Sequence, residues 1–297
     1  MKFPISNFQL PIETSRVPSR RRAVVNWKLK IGNAAAFTMI EIALCLAIIG
    51  FALVSILLVL PSGMNTQRDT REETIVGQDA SMLLEAIRNG SRGLDDLTNN
   101  VYLISNTFTV FNTHGVGVQH YAYYNRNNGW VDGTTYNGQG ITNGQRIIGL
   151  LSTPEFTYAS GGPPITFADT LGNGYISNHI VAYVRSFSGL VAEKPPQNNQ
   201  IMQEDAFSYR VLCVNAPMAM DTNAPVFPSF VREQAANLRE LRLTFLWPQL
   251  PNGNVGGFRQ TFRASISGQL TNTFDPYASP SMPLYFYQPQ SFSTNAP

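Results

Sequence analysis

The stretch FTMIEIALCLAIIGFALVSILLVL, residues 37–60, decides the fold of this chain. Its side chains are almost all apolar, and its single charged residue is Glu41. At the rise of an α-helix, the stretch would be roughly 36 Å long, which is enough to cross a hydrocarbon core of about 30 Å. The sequence therefore predicts a membrane-spanning helix.

Glu41 requires an explanation, because an acidic residue at the centre of a membrane-spanning helix costs about 2.5 to 3.5 kcal/mol on insertion scales. Near the end of the helix the cost falls, since the side chain can reach toward the interface. Two interpretations follow. Glu41 is either a tolerated residue at the helix edge or a carboxylate that is kept for a partner.

The residues around Glu41 resemble the N-terminal signature of type IV pilins and of the pseudopilins of type II secretion systems. Small residues at 34–36 are followed by Phe37, Thr38 and Glu41 and then by the apolar run. The resemblance implies that a prepilin peptidase cuts after Ala36 and that Phe37 becomes the N-methylated amino terminus. It also implies that Thr38 and Glu41 act in assembly. Ala36 occupies a position where this family usually has glycine.

The chemistry of this arrangement follows from the charges. Cleavage after Ala36 would place a positive amine on Phe37, four residues before the carboxylate of Glu41. In filaments of the family that the sequence resembles, the glutamate of one subunit is thought to meet the terminal amine of a neighbour. Loss of either partner of a buried ion pair leaves an uncompensated charge. We therefore expect Glu41 to set the axial stagger of an assembly.

The charge distribution predicts the orientation in the membrane. The first 36 residues carry seven basic side chains against Glu13, a net charge of +6, so that the rest of this +2 chain carries −4. Basic residues just before a spanning helix stay on the cytoplasmic side. We expect a cytoplasmic leader (1–36) that is removed, a helix in the inner membrane (37–61) and a periplasmic domain (62–297). In a processed chain, the last two parts would enter a filament.

The residues after the apolar run predict a second, amphipathic stretch of helix. Pro61 and Gly63 are expected to kink or end the first helix, because proline lacks a backbone donor. A helical stripe follows, and Asn89-Gly90 is a typical C-terminal stop. We expect this stripe to lie on a sheet as part of the core, with a groove for a partner helix as the alternative. The stripe consists of Val76, Ala80, Leu83 and Ile87.

From Val101 onward the chain consists of short runs of β-branched and aromatic residues separated by Gly, Asn and Pro. This pattern predicts an antiparallel sheet. The expected fold class is therefore α+β, with the long N-terminal helix packed on the sheet as in pilins. The clearest prediction is a hairpin of strands 241–247 and 258–266. Residues rich in Asn and Gly at 125–144, 159–178 and 193–204 are expected to be surface loops. The tail, 272–297, is expected to add an edge strand that docks on the domain, with an extended segment that binds a partner as the alternative. The other strand candidates are 108–111, 119–124, 146–151, 179–187 and 208–214.

The two cysteines are far apart in the predicted organisation. Cys45 lies inside the apolar run, whereas Cys213 lies in the exported region. A disulfide between them is not expected, because their Cα atoms would have to lie within about 7 Å of each other. Both are interpreted as small buried apolar residues.

Candidate catalytic and metal-binding residues are few. His114, His120 and His179 have no metal-ligand spacing and are interpreted as ordinary sheet residues, and no nucleophile or nucleotide motif occurs. Loop oxygens at 169–173, or at Asp132 with Asn127 and Asn128, are the only candidates for Ca²⁺. They lack an EF-hand pattern and are more typical of turns. We expect no enzyme activity, no cofactor and no metal.

These observations favour a structural subunit, a minor pilin or pseudopilin, whose partners are the prepilin peptidase, other pilins and the inner membrane. The alternative is a single-pass, membrane-anchored periplasmic binding module that does not polymerise. Nucleic acid is not an expected partner, since the region after the helix has no basic excess. The runs 238–253 and 258–270 also resemble the pilin-like proteins of Verrucomicrobial cassettes (the "Verru_Chthon" proteins).

Overall fold

The structure is a computed structural model in which the chain divides into two compact units, Met1–Pro61 and Ser62–Pro297. Ala36 and Phe37, the predicted processing residues, lie outside the part of the chain that the structure describes. The described residues are 38–90, 94–112, 114–137, 140–158, 174–188, 207–218, 233, 236–250, 252–274 and 283–292.

A single α-helix, α1 (Met39–Arg88), begins the described chain. It continues through Pro61 and Gly63, so of the two expected outcomes, a kink or an end of the helix, the end was wrong. Proline removes one N–H donor, and the helix continues without the bond that this donor would make to Leu57. The predicted stop is confirmed, because Gly90 follows the helix with a φ of 55°, a conformation that glycine adopts without steric cost.

The second unit is built around a nine-stranded antiparallel sheet, so the α+β class is confirmed. The strand order is β4-β3-β2-β1-β6-β7-β8-β9, and β5 pairs with the first residues of β6. The last two strands, β10 and β11, form a separate antiparallel pair. The elements are α2 (Leu97–Asn100), β1 (Val101–Phe111), β2 (Gly117–Asn125), β3 (Asn128–Val131), β4 (Thr134–Asn137), α3 (Gly144–Leu151), β5 (Phe156–Tyr158), β6 (Tyr175–Arg185), β7 (Ser208–Pro217), β8 (Leu238–Gln249), β9 (Val255–Ser267), β10 (Gln269–Phe274) and β11 (Pro283–Gln288).

The hydrophobic core lies on one face of the sheet. Alternate residues of the central strands point into it, among them Val211, Leu243 and Phe245, which are at most 1% exposed. The helical stripe predicted for α1 belongs to the same core cluster, and all four of its residues are fully buried or nearly so. The core interpretation of the stripe is therefore confirmed. The predicted hairpin is also confirmed as β8 and β9, which pair along almost their whole length.

Residues 146–151 form a helix, α3, so the strand predicted there was wrong. Asn143 caps this helix, because its side-chain oxygen accepts a hydrogen bond from the backbone N–H of Arg146 at 2.8 Å. The backbone N–H of Gly144 donates to the Asp95 carboxylate at 3.0 Å. A short apolar run does not separate a buried strand from a buried helix, and here the capping residues decide for the helix.

Residues 125–144, predicted as one surface loop, contain the hairpin β3 and β4. The turn between these strands is Asp132-Gly133, and both residues have positive φ, 48° and 83°. Positive φ at both central residues is typical of the tight hairpin turn that Asp-Gly favours. The predicted loop at 193–204 lies outside the described residues, and the one at 159–178 gives way to β6 at Tyr175.

The C-terminal tail provides β11, as predicted, but this strand pairs with β10 and does not extend the main sheet. Tyr285 and Tyr287 point into the core and are 1% and 2% exposed. Helix α3 lies against the same strand: a Cβ added at Gly149 would come within 2.8 Å of the Leu284 Cβ. The tail is thus part of the packed domain.

A buried carboxylate fastens α1 to the sheet domain. Asp79 has no exposed surface, and its Oδ1 accepts hydrogen bonds from the backbone N–H and the hydroxyl of Ser188 at 2.9 and 2.5 Å. Its Oδ2 accepts from the backbone N–H of Phe187 at 3.1 Å and from the Tyr209 hydroxyl at 2.7 Å. Four donors satisfy both oxygens, which is what a carboxylate needs when water is excluded.

Replacing Asp79 with alanine should strongly destabilise the domain. The change leaves buried N–H and O–H donors without an acceptor, and each such group costs about 1 to 3 kcal/mol. We expect a loss of about 3 kcal/mol or more in the free energy of unfolding. Chemical denaturation of the full chain in detergent, followed by tryptophan fluorescence, measures this change. The same substitution at Asp69, which is exposed on the same helix, is the control. Equal stability of the two variants would contradict the assigned role of Asp79.

Candidate functional site

The N-terminal part of α1 presents apolar side chains in every direction. Its large hydrophobic residues between Met39 and Leu60 are between 49% and 89% exposed in the isolated chain. Apolar surface of this extent is rare on soluble monomers and marks a site of contact with lipid or protein. Among the described residues, α1 is the one helix long and apolar enough to cross a membrane. This helix is consistent with single-pass anchoring in a membrane.

Thr38 lies directly before α1 and satisfies donors at its start. The backbone N–H of Glu41 donates to the Thr38 carbonyl at 2.9 Å and lies 3.4 Å from the Thr38 hydroxyl, and the backbone N–H of Ile42 donates to the same carbonyl at 3.2 Å. Thr38 and Glu41 thus have the spacing of a capping box, in which a Glu side chain returns a bond to the backbone of the capping residue.

The returning bond is not made. No described residue donates a hydrogen bond to the Glu41 carboxylate or forms an ion pair with it, and the side chain is exposed. A negative charge in the first turn gains from the helix dipole, which is worth about 0.3 to 1 kcal/mol at an exposed site. The insertion cost of about 2.5 to 3.5 kcal/mol applies to a charge at the centre of the bilayer and falls toward the helix end, where Glu41 lies. Both interpretations of Glu41, a tolerated residue at the helix edge and a carboxylate kept for a partner, therefore remain.

The structure describes two of the four predicted site residues, Thr38 and Glu41. Thr38 and Glu41 lie together in the first turn of α1, three residues apart. Ala36 and Phe37 directly precede them in sequence, outside the described residues, so the geometry of the cleavage site and of the new amine stays a prediction. The sequence analysis missed the capping bond of Thr38, although the Thr-x-x-Glu spacing was a signal that could have revealed it.

The Ca²⁺ candidate Asp132, which the sequence analysis interpreted as more typical of a turn, lies in the turn of the β3 and β4 hairpin. The Asp132 Oδ2 lies 2.6 Å from Nδ1 of His120, and its Oδ1 accepts a hydrogen bond from the Tyr121 backbone N–H at 2.9 Å. That N–H and the His120 contact lower the pKa of the Asp132 carboxyl. Within the described parts of the chain, no group of three or more His, Cys, Asp or Glu residues is placed to hold a metal. The other candidate, 169–173, lies outside those parts.

His179 lies in β6, as expected, whereas His114 lies in the turn between β1 and β2, so the expectation that it is a sheet residue was wrong. The backbone N–H of His179 donates to the Asn106 side chain at 3.2 Å, within the β1 and β6 pairing. Cys45 and Cys213 are both free thiols. Cys213 is buried as predicted, and burial raises the pKa of its thiol to about 12, whereas Cys45 is exposed in the isolated chain. The expectation that Cys45 is buried was therefore wrong for the isolated chain, whose apolar helix has no lipid around it.

A buried polar cluster joins three strands on the core side of the sheet. Arg239 has no exposed surface, and its Nε and Nη2 donate to the side-chain and backbone oxygens of Asn215 at 2.8 and 3.0 Å. The Tyr287 hydroxyl donates to the same side-chain oxygen at 2.7 Å, and the Asn215 amide donates to the Ser152 carbonyl at 2.6 Å. Burial lowers the pKa of Arg239. The cluster holds β7, β8 and β11 together.

No family model, no curated protein and no solved structure matches this chain.

Buried tyrosines give the domain a defined response to alkali. Burial raises the pKa of Tyr124 and of Tyr285 to about 12. Burial, followed by the nearby charge of Asp79, raises the pKa of Tyr209 well above its ordinary value, and burial also raises that of Tyr287. In the unfolded chain these groups ionise near pH 10. Their contribution to stability is therefore complete below about pH 10 and is lost as pH rises toward 12.

We expect the free energy of unfolding to fall between pH 9 and pH 11, with about 1 kcal/mol of the fall due to Tyr124 alone. Tyr124→Phe should reduce the fall by that amount, because phenylalanine cannot ionise. Tyr121→Phe is the matched control, since Tyr121 is 44% exposed on the same strand. Denaturant titrations at the two pH values measure the difference. An identical fall in both variants would overturn the assignment.

Proposed function

We propose that this protein is a structural subunit, a minor pilin or pseudopilin, of a type IV pilus or type II secretion filament. The single observation that carries the proposal is the Glu41 carboxylate, which lies in the first turn of α1, at the start of its apolar part, without a donor among the described residues. The N-terminal resemblance on Ala36, Phe37, Thr38 and Glu41 supports the same function. In this proposal the fold is a pilin fold, with α1 as its long helix.

The first step is insertion and processing. The basic leader keeps the N-terminus in the cytoplasm, the apolar part of α1 lies in the inner membrane, and the sheet domain is periplasmic. A prepilin peptidase then cuts after Ala36, and Phe37 carries the new, N-methylated amine. Both residues directly precede Thr38, which begins the helix. Cleavage would therefore leave the amine at the N-terminal end of α1.

The second step is assembly. The apolar side chains of α1 pack against the helices of neighbouring subunits after they leave the lipid. The Glu41 carboxylate then pairs with the Phe37 amine of a neighbour. Removing one partner of such a buried pair costs about 3 to 5 kcal/mol, because the other charge is left without compensation. An ion pair of this kind fixes the register between subunits more than it adds stability.

The third step is specificity. The helix provides a contact that any similar subunit could make, so the choice of partner belongs to the sheet domain. We propose no catalytic role and no cofactor for this protein. The competing function is a membrane-anchored binding module, in which α1 only tethers the domain and Glu41 has no partner.

The variant Glu41→Gln distinguishes these functions. The amide keeps the size of the side chain and removes its charge, so the neighbour's amine loses its counter-ion. We expect normal membrane insertion and leader removal but at least a tenfold loss of crosslinked assemblies and of co-purifying pilins. The measurement is crosslinking in native membranes followed by native gel electrophoresis and mass spectrometry.

Ser55→Ala is the matched control for this experiment, because it removes a polar group from the same apolar helix without changing a charge. Its hydroxyl is satisfied within the helix by the Phe51 carbonyl at 2.9 Å. We expect the control to assemble like the unaltered protein. If Glu41→Gln also assembled normally, or if the unaltered protein were always monomeric, the anchored module would be the better account.

A further inference from the structure

The main sheet ends in two very different edges. At one edge lies β4, which has four residues, and at the other lies β9, which has thirteen. Among the described strands, β9 pairs only with β8, so its outer edge carries backbone donors and acceptors without a strand partner. Proteins usually shorten, bend or cover such an edge, since it can pair with another chain. The β4 edge is short, whereas β9 is long and contains no proline.

Two side chains of β9 that face away from the core, Arg259 and Arg263, are positively charged. Three exposed residues of β9 lie opposite outward residues of β8: Arg259, Thr261 and Arg263. The residues of β9 between them lie opposite the core residues Leu243 and Phe245. Arg259 and Arg263 are four residues apart, which is about 13 Å along a strand. The outer edge therefore combines a hydrogen-bonding ladder that has no partner among the described strands with two guanidinium groups at fixed spacing.

The positive charge of this edge is not balanced within the described chain. Arg263 lies directly opposite Arg242 of β8, an arrangement of like charges that is unfavourable. The Glu240 carboxylate oxygen Oε1 lies 3.9 Å from Nε of Arg242 and 3.9 Å from Nη1 of Arg263. One carboxylate is therefore shared by two guanidinium groups. Arg259 forms no ion pair with a described acidic residue. Two of the three positive charges are thus available to a partner.

We propose that the outer edge of β9 binds an extended, acidic segment of a partner protein as an additional strand. The segment would carry Asp or Glu four residues apart, so that its carboxylates lie opposite Arg259 and Arg263. A small polar residue between them would face Thr261. Main-chain hydrogen bonds would provide affinity, and the cross-strand pairs of opposite charge would provide register and specificity. This inference goes beyond assembly through α1 and does not depend on processing before Phe37.

A second copy of this chain does not fit the same edge. Thr261 is the central residue of β9 (Val255–Ser267), so full antiparallel overlap of two such strands would centre there. That register places Arg259 of each copy opposite Arg263 of the other. Two pairs of like charges at the centre of the contact oppose it. The arginines therefore act against self-association while they favour an acidic strand.

A peptide of the sequence Thr-Glu-Val-Thr-Val-Glu-Thr tests this proposal, because its glutamates have the required spacing. Fluorescence anisotropy would measure binding of the labelled peptide to the full chain in detergent. A peptide with both glutamates replaced by lysine tests the charge. A peptide with the same side chains but alternate N-methylated amides, made in both alternations, tests the backbone ladder, since an N-methylated residue cannot donate a hydrogen bond.

We expect the acidic peptide to bind at least about fivefold more tightly than the lysine peptide, and one of the two N-methylated forms to bind as weakly as the lysine peptide. The protein variant Arg259→Glu with Arg263→Glu should reverse the preference, so that the lysine peptide binds more tightly. The control Arg88→Glu with Arg126→Glu changes the net charge equally and should keep the original preference. Circular dichroism checks that each variant is folded.

Three results would each overturn the proposal. The first is a double variant of Arg259 and Arg263 that still prefers the acidic peptide over the lysine peptide as strongly as the unaltered protein does. The second is full binding by both N-methylated peptides, which would indicate charge attraction without strand addition. The third is no binding of the acidic peptide by the unaltered protein. None of these results bears on Glu41, so failure here leaves the proposed assembly function standing.

Discussion

A carboxylate that is removed from water must find hydrogen-bond donors or a positive charge, and this constraint governs both halves of helix α1. Asp79 meets it within the chain, because four donors from Phe187, Ser188 and Tyr209 surround its two oxygens. Glu41 does not meet it within the described chain. One acid thus fastens the helix to its own domain, while the other remains available to a different molecule. The difference between the two residues is the basis of the proposed function.

The outer edge of β9, which is periplasmic in the proposed topology, also carries charges with too few partners of opposite sign. Arg259 and Arg263 have too few acidic neighbours, just as Glu41 has no basic one. Uncompensated charge costs little in water, so these arginines are tolerated on the surface without a partner. In the proposal, these two arginines select a partner strand that carries acidic residues. The apolar helix and the charged edge would then serve general assembly and partner choice respectively.

Much of the fold could be predicted from the sequence, because its strongest patterns are local. The apolar run, the stripe from Val76 to Ile87, the Gly90 stop and the β8 and β9 hairpin all depend on periodicity or turn residues that a single chain shows directly. The errors have physical reasons. Residues 146–151 were predicted as a strand because β-branched residues in a short run fit both states, and the caps at Asn143 and Asp95 decided the outcome. The partner of β11 depends on contacts between distant residues.

The candidate site was predictable only in part. The resemblance at Thr38 and Glu41 suggested an assembly motif, whereas their capping-box spacing was missed. The structure places the Glu41 backbone N–H 3.4 Å from the Thr38 hydroxyl, and the Glu41 side chain returns no bond. Asp79 was missed, although its position three residues after Val76 and four before Leu83 places it on the buried stripe of the helix. Its donors come from more than a hundred residues away in sequence. Long-range polar networks of this kind have no local signature.

The mass of the mature protein tests the central claim most directly. Intact and N-terminal mass spectrometry of the protein isolated from its native membrane would show where the chain begins and whether its amine is methylated. The account predicts a chain that begins at Phe37 with an N-methylated amine, so that a cation is available for Glu41 of a neighbour. A mature chain that still begins at Met1 would contradict it, because the cation that Glu41 is proposed to meet would not exist.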